Sequence, residues 1–192
     1  MNKSKLEYVC QTCGSSYPKW LGQCNDCLSW NSLSPLESPK KPQSKHIALT
    51  TPKRLHEIKP ESIQRIDCQC AEMHRVLGGG LVPGSINLLG GDPGIGKSTL
   101  LLQISCRLAE KMTALYVSGE ESIEQISLRS QRTKNAKDNL YLLAETDCET
   151  ILAAAYKLKP KLLIIDSIQT MTSSTLNAIP GSVSQVRYCA SQ

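Results

Sequence analysis

The stretch that decides the fold is GGDPGIGKST, residues 90–99, in which two glycines open a loop and a lysine followed by two hydroxyl side chains closes it. It fits the pattern Gly-x-x-x-x-Gly-Lys-Ser at Gly91, Gly96, Lys97 and Ser98, between an apolar run and an amphipathic stretch. That context is typical of a phosphate-binding loop. Glycines let several backbone N–H groups converge on a phosphate, and the helix N-terminus adds its dipole. The alternative is a Gly/Pro turn between two buried elements, which the flanking strand and helix disfavour.

The loop residues have predicted parts in holding a nucleotide. Lys97 is expected to bridge the β and γ phosphates. The hydroxyl of Ser98 is expected to bind Mg²⁺, a hard cation that prefers oxygen ligands. The predicted nucleotide-binding residues are Gly91, Asp92, Pro93, Gly94, Ile95, Gly96, Lys97, Ser98 and Thr99.

A hydrolase also needs a carboxylate near the metal and a group that orients water. LLIID, residues 162–166, ends in Asp166 after four apolar residues, as expected for a buried parallel strand that delivers one acid at its carboxyl end. Asp166 is therefore predicted to join Ser98 at Mg²⁺. The alternative is an aspartate that caps the next turn through Ser167.

Two glutamates follow another predicted strand, in ALYVSGEES, and either could polarise the attacking water. We predict Glu120, rather than Glu121, as the catalytic residue that works with Lys97. The alternative is a surface acidic pair that opens a helix, where negative charge suits the helix dipole.

Periodicity predicts an α/β domain with a mostly parallel sheet. The predicted strands are residues 85–90, 114–119, 139–144 and 162–166. The predicted helices are STLLLQISCRLAEKM, SIEQISLRSQR and DCETILAAAYKLK, and PGSVSQVRYCASQ begins like another. Ser122 and Asp147 are predicted N-caps.

Composition limits the class of protein. The chain has 192 residues, 40% of them hydrophobic, which suffices for one sizeable core and a small appended module. Its net charge of +5 permits contact with polyanions without requiring it. The first residues, MNKSKLEYVCQTCG, contain no apolar run of signal-peptide length, and later runs such as LLII are too short to span a bilayer. We therefore expect a cytoplasmic protein without a membrane partner.

Four of the nine cysteines form two knuckles, and in a reducing compartment this pattern indicates metal rather than disulfides. Cys10, Cys13, Cys24 and Cys27 are the predicted ligands of a tetrahedral zinc ion, which would supply the folding energy that a module of this size lacks. The aromatic residues Tyr17, Trp20 and Trp30 are predicted to pack over the site, with contact to a base or a partner as the alternative. The other five cysteines, Cys68, Cys70, Cys106, Cys148 and Cys189, lack ligand spacing and are predicted to be buried thiols or surface bystanders.

The predicted organisation is a zinc-ribbon module at residues 1–33, a Pro/Lys-rich linker at 34–64 and the α/β domain at 65–192. Five stretches carry a family resemblance: CQTCGSSYPKWLGQCNDCLSWNSL, RVLGGGLVPGSINLLGGDPGIGKSTLLLQI, YVSGEESIEQISLR, LLIIDSIQT and PGSVSQVR. In this order and combination they resemble the bacterial RadA (Sms) family of DNA repair proteins, which are RecA-like ATPases with a four-cysteine zinc motif.

The resemblance implies a partial RecA-like P-loop core, Mg²⁺-dependent hydrolysis of ATP, ring-shaped homo-oligomers and binding of single-stranded DNA. It also implies a role in processing recombination intermediates by branch migration, with recombinase or helicase partners. Glu120 matches the water-activating glutamate of RecA-like proteins. The family continues with further core strands, a Lys-Asn-Arg-Phe-Gly motif and a Lon-protease-like domain that this chain lacks, so we expect a truncated chain without the C-terminal half. A local departure is IDCQCAEMHRVLGGG, where Cys68 and Cys70 replace a more polar lead-in.

Two other functions compete with the DNA-dependent ATPase. The first is a non-hydrolysing fragment in which the zinc ribbon binds nucleic acid or a partner while the incomplete core only binds nucleotide. The second is a signalling NTPase of the circadian-clock KaiC type, which the zinc ribbon disfavours. An incomplete sheet leaves apolar surface and unpaired backbone, so marginal stability of the isolated chain is also expected.

Overall fold

The computed structural model describes residues 6–37, 54–57, 64–132, 138–176 and 178–192. In chain order the strands and α-helices are β1 (Leu6–Cys10), β2 (Ser16–Tyr17), β3 (Leu33–Glu37), α1 (Ala71–Val76), α2 (Lys97–Leu108), β4 (Ala114–Ser118), α3 (Ile123–Ser130), β5 (Leu140–Ala144), α4 (Cys148–Leu158), β6 (Leu162–Asp166) and α5 (Val183–Ser191). Short 3-10 turns lie at Leu55–Glu57 and Ile168–Thr170.

The N-terminal module is an antiparallel sheet of order β2-β1-β3. Its small core is formed by Cys10, Cys24 and Leu33, so the cysteines themselves supply much of the buried volume. Strand β3 runs to Glu37 and therefore overlaps the start of the predicted linker. The rest of that linker falls mostly on residues outside those that the structure describes.

The second sheet is parallel, with order β5-β4-β6. Its central strand β4 is buried throughout, as expected for a parallel strand covered on both faces. In the last register position Ser118 lies between Ala144 and Asp166, so the carboxyl ends of all three strands meet at one edge. Ligands of open α/β sheets collect at this kind of edge.

Helices cover both faces of this sheet. Tyr116 of β4 packs with residues of α2, α3 and β6 on one face. The neighbouring Leu115 and Val117 point to the opposite face, where they pack with residues of α4 and α5. This alternation follows from the two-residue period of a strand. The layered α/β class predicted from the sequence is confirmed, as is the parallel arrangement of the strands at 114, 140 and 162.

Both predicted N-caps are present. The Ser122 hydroxyl accepts a hydrogen bond from the backbone of Gln125, whose side chain bonds back to Ser122 in a capping box. The Asp147 carboxylate accepts from the backbone N–H of Thr150 at 2.9 Å. These short polar side chains set the first turns of α3 and α4.

The predicted strand at residues 85–90 is wrong. Within the described chain this segment forms no strand pairing, and Ile86 and Leu88 are 94% and 88% exposed. β4 is already paired on both sides, by β5 and β6, and the segment makes no ladder with the free edge of β6. Apolar residues form a strand only where they pair with a partner strand and pack on a surface, and in the described chain Ile86 and Leu88 do neither.

The backbone pairing of the segment before the glycine loop accounts for the burial of Cys68. Ile66 and Leu81 pair through backbone hydrogen bonds in both directions. This pairing turns Cys68 inward against Ile104 and Leu108 of α2, where it is fully buried. Cys68 is therefore a small apolar core residue.

The N-terminal module contacts α5 of the second domain. The Ser184 hydroxyl donates to the side-chain oxygen of Gln11 at 2.7 Å, and the Arg187 guanidinium donates to the carbonyl of Gly14 at 3.1 Å. A Cβ added at Gly14 would come within 2.7 Å of Val183, so a glycine permits this approach. No helix in the described part of the chain combines the length and apolar character needed to cross a bilayer.

Candidate functional site

The glycine loop is closed around its lysine. Gly94 and Gly96 have φ of 79° and 103°, in the left-handed region that glycine adopts without strain. The Lys97 ammonium donates to the carbonyls of Gly91 and Asp92 at 2.7 and 2.8 Å. Helix α2 begins directly at Lys97, and no side chain caps its N-terminus. Its first N–H groups are thus available to an anion.

The structure brings together Ser98, at the start of α2, and Asp166, at the end of β6. The Ser98 hydroxyl donates to Oδ1 of Asp166 at 3.1 Å, across 68 positions of sequence. A hydroxyl and a carboxylate at the carboxyl edge of a parallel sheet are the oxygen donors that Mg²⁺ accepts. The donor set predicted from the sequence therefore fits this cation chemically.

Sequence reasoning missed a third member of this group, Tyr116. Its ring is fully buried, and its hydroxyl donates to Oδ2 of Asp166. Burial raises the pKa of the Tyr116 phenol, and the neighbouring carboxylate raises it further. A tyrosine inside an otherwise apolar, buried strand was the available clue, because its polar tip must find a partner.

The two glutamates after β4 have different surroundings. Glu121 forms an ion pair with Arg129 at 2.9 Å, whereas Glu120 is exposed and accepts a hydrogen bond from Ser167 at 3.3 Å. Ser167 follows Asp166 directly, so Glu120 lies beside the Ser98–Asp166 pair. Glu121 is paired with the arginine, whereas Glu120 contacts the residue that follows Asp166.

Gly119 makes this placement possible. Its N–H donates to the Asp166 carbonyl at 3.1 Å, which extends the β4–β6 pairing by one residue. A Cβ at this position would lie 2.1 Å from the hydroxyl oxygen of Thr170. A glycine is therefore required where the chain turns from β4 toward Glu120.

The four predicted zinc ligands form one cluster. The sulfurs of Cys10 and Cys27 lie 3.5 Å apart, those of Cys13 and Cys24 lie 3.6 Å apart, and all four lie within 4.8 Å of one another. Zinc–sulfur bonds of about 2.3 Å in a tetrahedron require sulfur separations of about 3.8 Å. The cluster thus fits a tetrahedral metal ion.

The two knuckles repeat one backbone arrangement. The N–H groups of Cys10 and Cys24 donate to Ser15 and Ser29, each at 2.9 Å. One residue after each second cysteine, Gly14 and Leu28 adopt positive φ of 79° and 60°. The first knuckle places a glycine at this left-handed position, whereas the second places a leucine there.

Hydroxyl groups surround the sulfurs, one for each cysteine. The pairs are Ser32 with Cys10, Ser15 with Cys13, Tyr17 with Cys24 and Ser29 with Cys27, at 3.2, 3.3, 3.3 and 3.4 Å. Burial alone would raise the pKa of the Cys10 thiol, but hydrogen bonds, with that of Ser32 the strongest, lower it to about 6. The hydrogen bond with Tyr17 lowers the pKa of Cys24. At Cys10 and Cys24 the contacts favour the thiolate, the form that binds metal.

The predicted packing of aromatic residues over the cysteines is confirmed for Tyr17 and wrong for the tryptophans. Trp20 and Trp30 are 53% and 72% exposed and lie on either side of Gly22. The core beneath them is already filled by the cysteines and Leu33, so two large rings have no room inside. They form an aromatic patch on the surface of the module.

The remaining cysteines support no second metal site. Cys68, Cys106, Cys148 and Cys189 are buried, and Cys70 is partly buried at the start of α1. Burial raises the pKa of Cys189 to about 12 and also raises that of Cys148, so both thiols stay protonated. Among the described residues, the Cys10–Cys27 group is the only cluster of three or more metal-ligating side chains.

Two family models match separate parts of the chain. The AAA domain family model matches residues 51–187, which contain the glycine loop, Glu120 and Asp166. A model of a rubredoxin metal binding domain matches residues 8–35, which contain all four clustered cysteines. The two matches therefore cover the two sites described above.

Curated relatives match almost the whole chain. A DNA repair protein RadA of Halalkalibacterium halodurans is 48% identical over 196 residues, covering 98% of this chain and 43% of the relative. Proteins of the same name from Streptococcus pyogenes and Pseudomonas aeruginosa are 48% and 45% identical, covering 97% and 99% of the chain. The chain spans less than half the length of these relatives, 42% and 43% respectively.

Proposed function

The chain belongs to the AAA domain family and corresponds to the N-terminal portion of the RadA family of DNA repair proteins, and on that premise we propose that it binds and hydrolyses ATP as a DNA-dependent ATPase of DNA repair. The proposal places both nucleotide binding and hydrolysis at the edge of the parallel sheet where the glycine loop, Asp166 and Glu120 meet.

One observation carries the proposal. The Ser98 hydroxyl lies 3.1 Å from Asp166, although each residue comes from a different element and the two are far apart in sequence. A glycine turn that only connects two elements does not require a hydroxyl next to the single carboxylate of a buried strand. A nucleotide site that uses a divalent cation requires this placement.

The chain's own residues then have distinct parts. The N–H groups of the loop, with Gly91, Gly96 and the start of α2, hold the phosphates, and Lys97 leaves the two loop carbonyls to contact the β and γ oxygens. Ser98 and Asp166 hold Mg²⁺, which neutralises charge on the phosphates when it is bound. Glu120 orients a water molecule and accepts its proton.

The four-cysteine module holds zinc in this proposal. Four thiols at tetrahedral spacing form a closed site with no open position, which is typical of a structural ion. Zinc would stabilise a module whose apolar core is very small. Its contacts with α5 through Ser184 and Arg187 attach it to the ATPase domain.

Several further parts of the proposal rest on the family alone. They are binding of single-stranded DNA, branch migration of recombination intermediates, homo-oligomeric rings and contact with a recombinase or a helicase. The cytoplasmic location stays a prediction. The chain spans 43% of the length of the Halalkalibacterium halodurans relative, and ATP turnover by this chain is part of the proposal.

The test is ATP hydrolysis and ATP binding by the purified chain, with and without single-stranded DNA. Lys97→Ala is expected to abolish binding, because it removes the cation that the loop is built around. Glu120→Gln is expected to bind ATP normally and to hydrolyse it at least 100-fold more slowly, the usual contribution of a general base. Glu121→Gln is the matched control. Equal turnover by Glu120→Gln and Glu121→Gln would contradict the assignment.

A second candidate function is a non-hydrolysing binding module, and the exposed pair Trp20 and Trp30 favours it. Aromatic surfaces of this kind stack on bases or fill grooves of partner proteins. The test compares single-stranded DNA binding by the zinc-loaded chain and its Trp20→Ser/Trp30→Ser variant. Nucleotide binding without turnover, together with DNA binding that needs the tryptophans, would favour this candidate.

A further inference from the structure

The strongest unassigned feature near the site is the hydroxyl of Tyr116. It lies in the middle of β4 with no exposed surface, and it donates to Oδ2 of Asp166. The other carboxylate oxygen, Oδ1, accepts from Ser98 at 3.1 Å. Two hydroxyl groups, one from a strand and one from a helix, therefore fix both oxygens of the carboxylate.

Packing alone does not require this hydroxyl. The tyrosine ring lies among Leu102, Cys106, Ile126 and Ile164. A phenylalanine ring would fill the space between these apolar side chains equally well. A buried phenol without a partner is unfavourable, and its oxygen reaches the one carboxylate at the end of β6. The polar tip therefore contacts Asp166, and at 3.5 Å the Ser98 carbonyl, rather than the core.

We propose that Tyr116 is a positioning residue that holds the Asp166 carboxylate in the orientation that binds the divalent cation of the nucleotide site. The proposal rests on the function proposed above. With Oδ2 held by the phenol, the carboxylate cannot rotate, and Oδ1 stays toward Ser98. Without the phenol, the carboxylate rotates about its last bond and the two oxygen ligands are less well aligned. Losses of this kind weaken metal binding by roughly 10-fold.

The experiment compares Tyr116→Phe with the wild-type chain and with Tyr141→Phe, a tyrosine of the adjacent strand β5 that is 47% exposed. Binding of a fluorescent ATP analogue is measured first in EDTA and then during titration with Mg²⁺ and with Mn²⁺. Tyr116→Phe is expected to bind the analogue normally in EDTA and to need roughly 10-fold more of either cation for half-saturation. Tyr141→Phe is expected to match the wild type throughout.

A double-mutant cycle with Asp166→Asn shows whether the effect passes through the carboxylate. If Tyr116 acts by orienting Asp166, removing the phenol from the Asp166→Asn chain changes the cation midpoint by less than 2-fold. An equal effect in both backgrounds would overturn the proposal, because a general structural role does not depend on Asp166.

Unchanged Mg²⁺ and Mn²⁺ midpoints for Tyr116→Phe would also overturn it, while leaving the proposed function intact. Wild-type protein that binds no analogue with or without Mg²⁺ would overturn both. If Tyr116→Phe melts below the assay temperature, the titrations are repeated for all variants in trimethylamine N-oxide, which favours the folded state. An unshifted midpoint there counts equally against the proposal.

Discussion

Replacing Gln185 by leucine is expected to destabilise the loop that joins Asp166 to α5. Gln185 is 2% exposed, and its side chain contacts backbone groups of Ser173, Leu176 and Ala178. Its oxygen accepts from the Ser173 N–H at 3.0 Å. Its amide nitrogen lies 3.3 Å from the carbonyls of Ser173 and Leu176 and 3.0 Å from that of Ala178.

The magnitude follows from these contacts. The amide has two protons for three carbonyls, so three hydrogen bonds form at one time, including that of the oxygen. Leucine has similar volume but leaves the Ser173 N–H and the Ala178 carbonyl without this partner, and each costs about 1–3 kcal/mol when buried. The carbonyls of Ser173 and Leu176 keep backbone donors, the N–H groups of Leu176 and Ala178. Added apolar burial and access of water to the loop offset part of this loss. We expect the free energy of unfolding to fall by about 2–4 kcal/mol.

The measurement is urea unfolding of zinc-saturated protein followed by circular dichroism, together with limited proteolysis of the loop. Gln131→Leu is the matched control, because Gln131 is exposed at the end of α3, and it is expected to change the stability by less than about 0.5 kcal/mol. A Gln185→Leu loss below about 1 kcal/mol, without faster cleavage at residues 173–178, would refute the reasoning. Gln185→Glu should be the more destabilised variant at neutral pH and should recover as the pH falls, because protonation removes its charge from the facing carbonyls.

Three other predictions concern the two sites. Leu28→Gly is expected to stabilise the metal-loaded module by about 0.5–1 kcal/mol in thermal unfolding, because it removes the backbone strain of a leucine with positive φ that is 66% exposed. An unchanged stability would contradict the presence of this strain. Gly119→Ala is expected to lower the free energy of unfolding by about 1–3 kcal/mol and to slow ATP hydrolysis, because its added Cβ clashes with Thr170. The control Gly90→Ala has no atom near its added Cβ and should change neither the stability nor the hydrolysis rate. Zinc affinity in competition with a chromophoric chelator should fall as the pH is lowered from 8 to 5, because protons compete with the metal for the thiolates, including Cys10, whose pKa is lowered to about 6. A zinc affinity independent of pH would exclude thiolate ligation.

Local patterns predicted much of what was found. Helix starts at Ser122 and Asp147 were predictable because capping depends on residues within one turn. The cysteine cluster was predictable because each knuckle sets its own geometry over a few residues. The close approach of Ser98 and Asp166 was predictable as well, since a phosphate loop and a buried strand that ends in an acid both deliver their side chains to the carboxyl edge of a parallel sheet.

Predictions failed where the outcome depended on neighbours distant in the chain. Residues 85–90 have the composition of a strand, but a strand needs a partner edge, and the described chain leaves Ile86 and Leu88 exposed. Trp20 and Trp30 are large and apolar, but the module has too little interior to hold them. In both cases the residue type indicated a hydrophobic side chain but gave no information about whether the fold has buried space to hold it.

The sequence by itself determined the chemistry: four thiols in two knuckles, a glycine loop with Lys97 and Ser98, and one acid at the end of a buried strand. Spacing along the chain encodes these features, so they can be predicted without knowledge of the fold. Only the tertiary structure decided that Tyr116 donates to Asp166, that Glu121 pairs with Arg129 while Glu120 accepts from Ser167, and that the metal module contacts α5. Each of these outcomes is a contact between elements, and sheet order and helix packing set such contacts over distances at which sequence spacing carries no information.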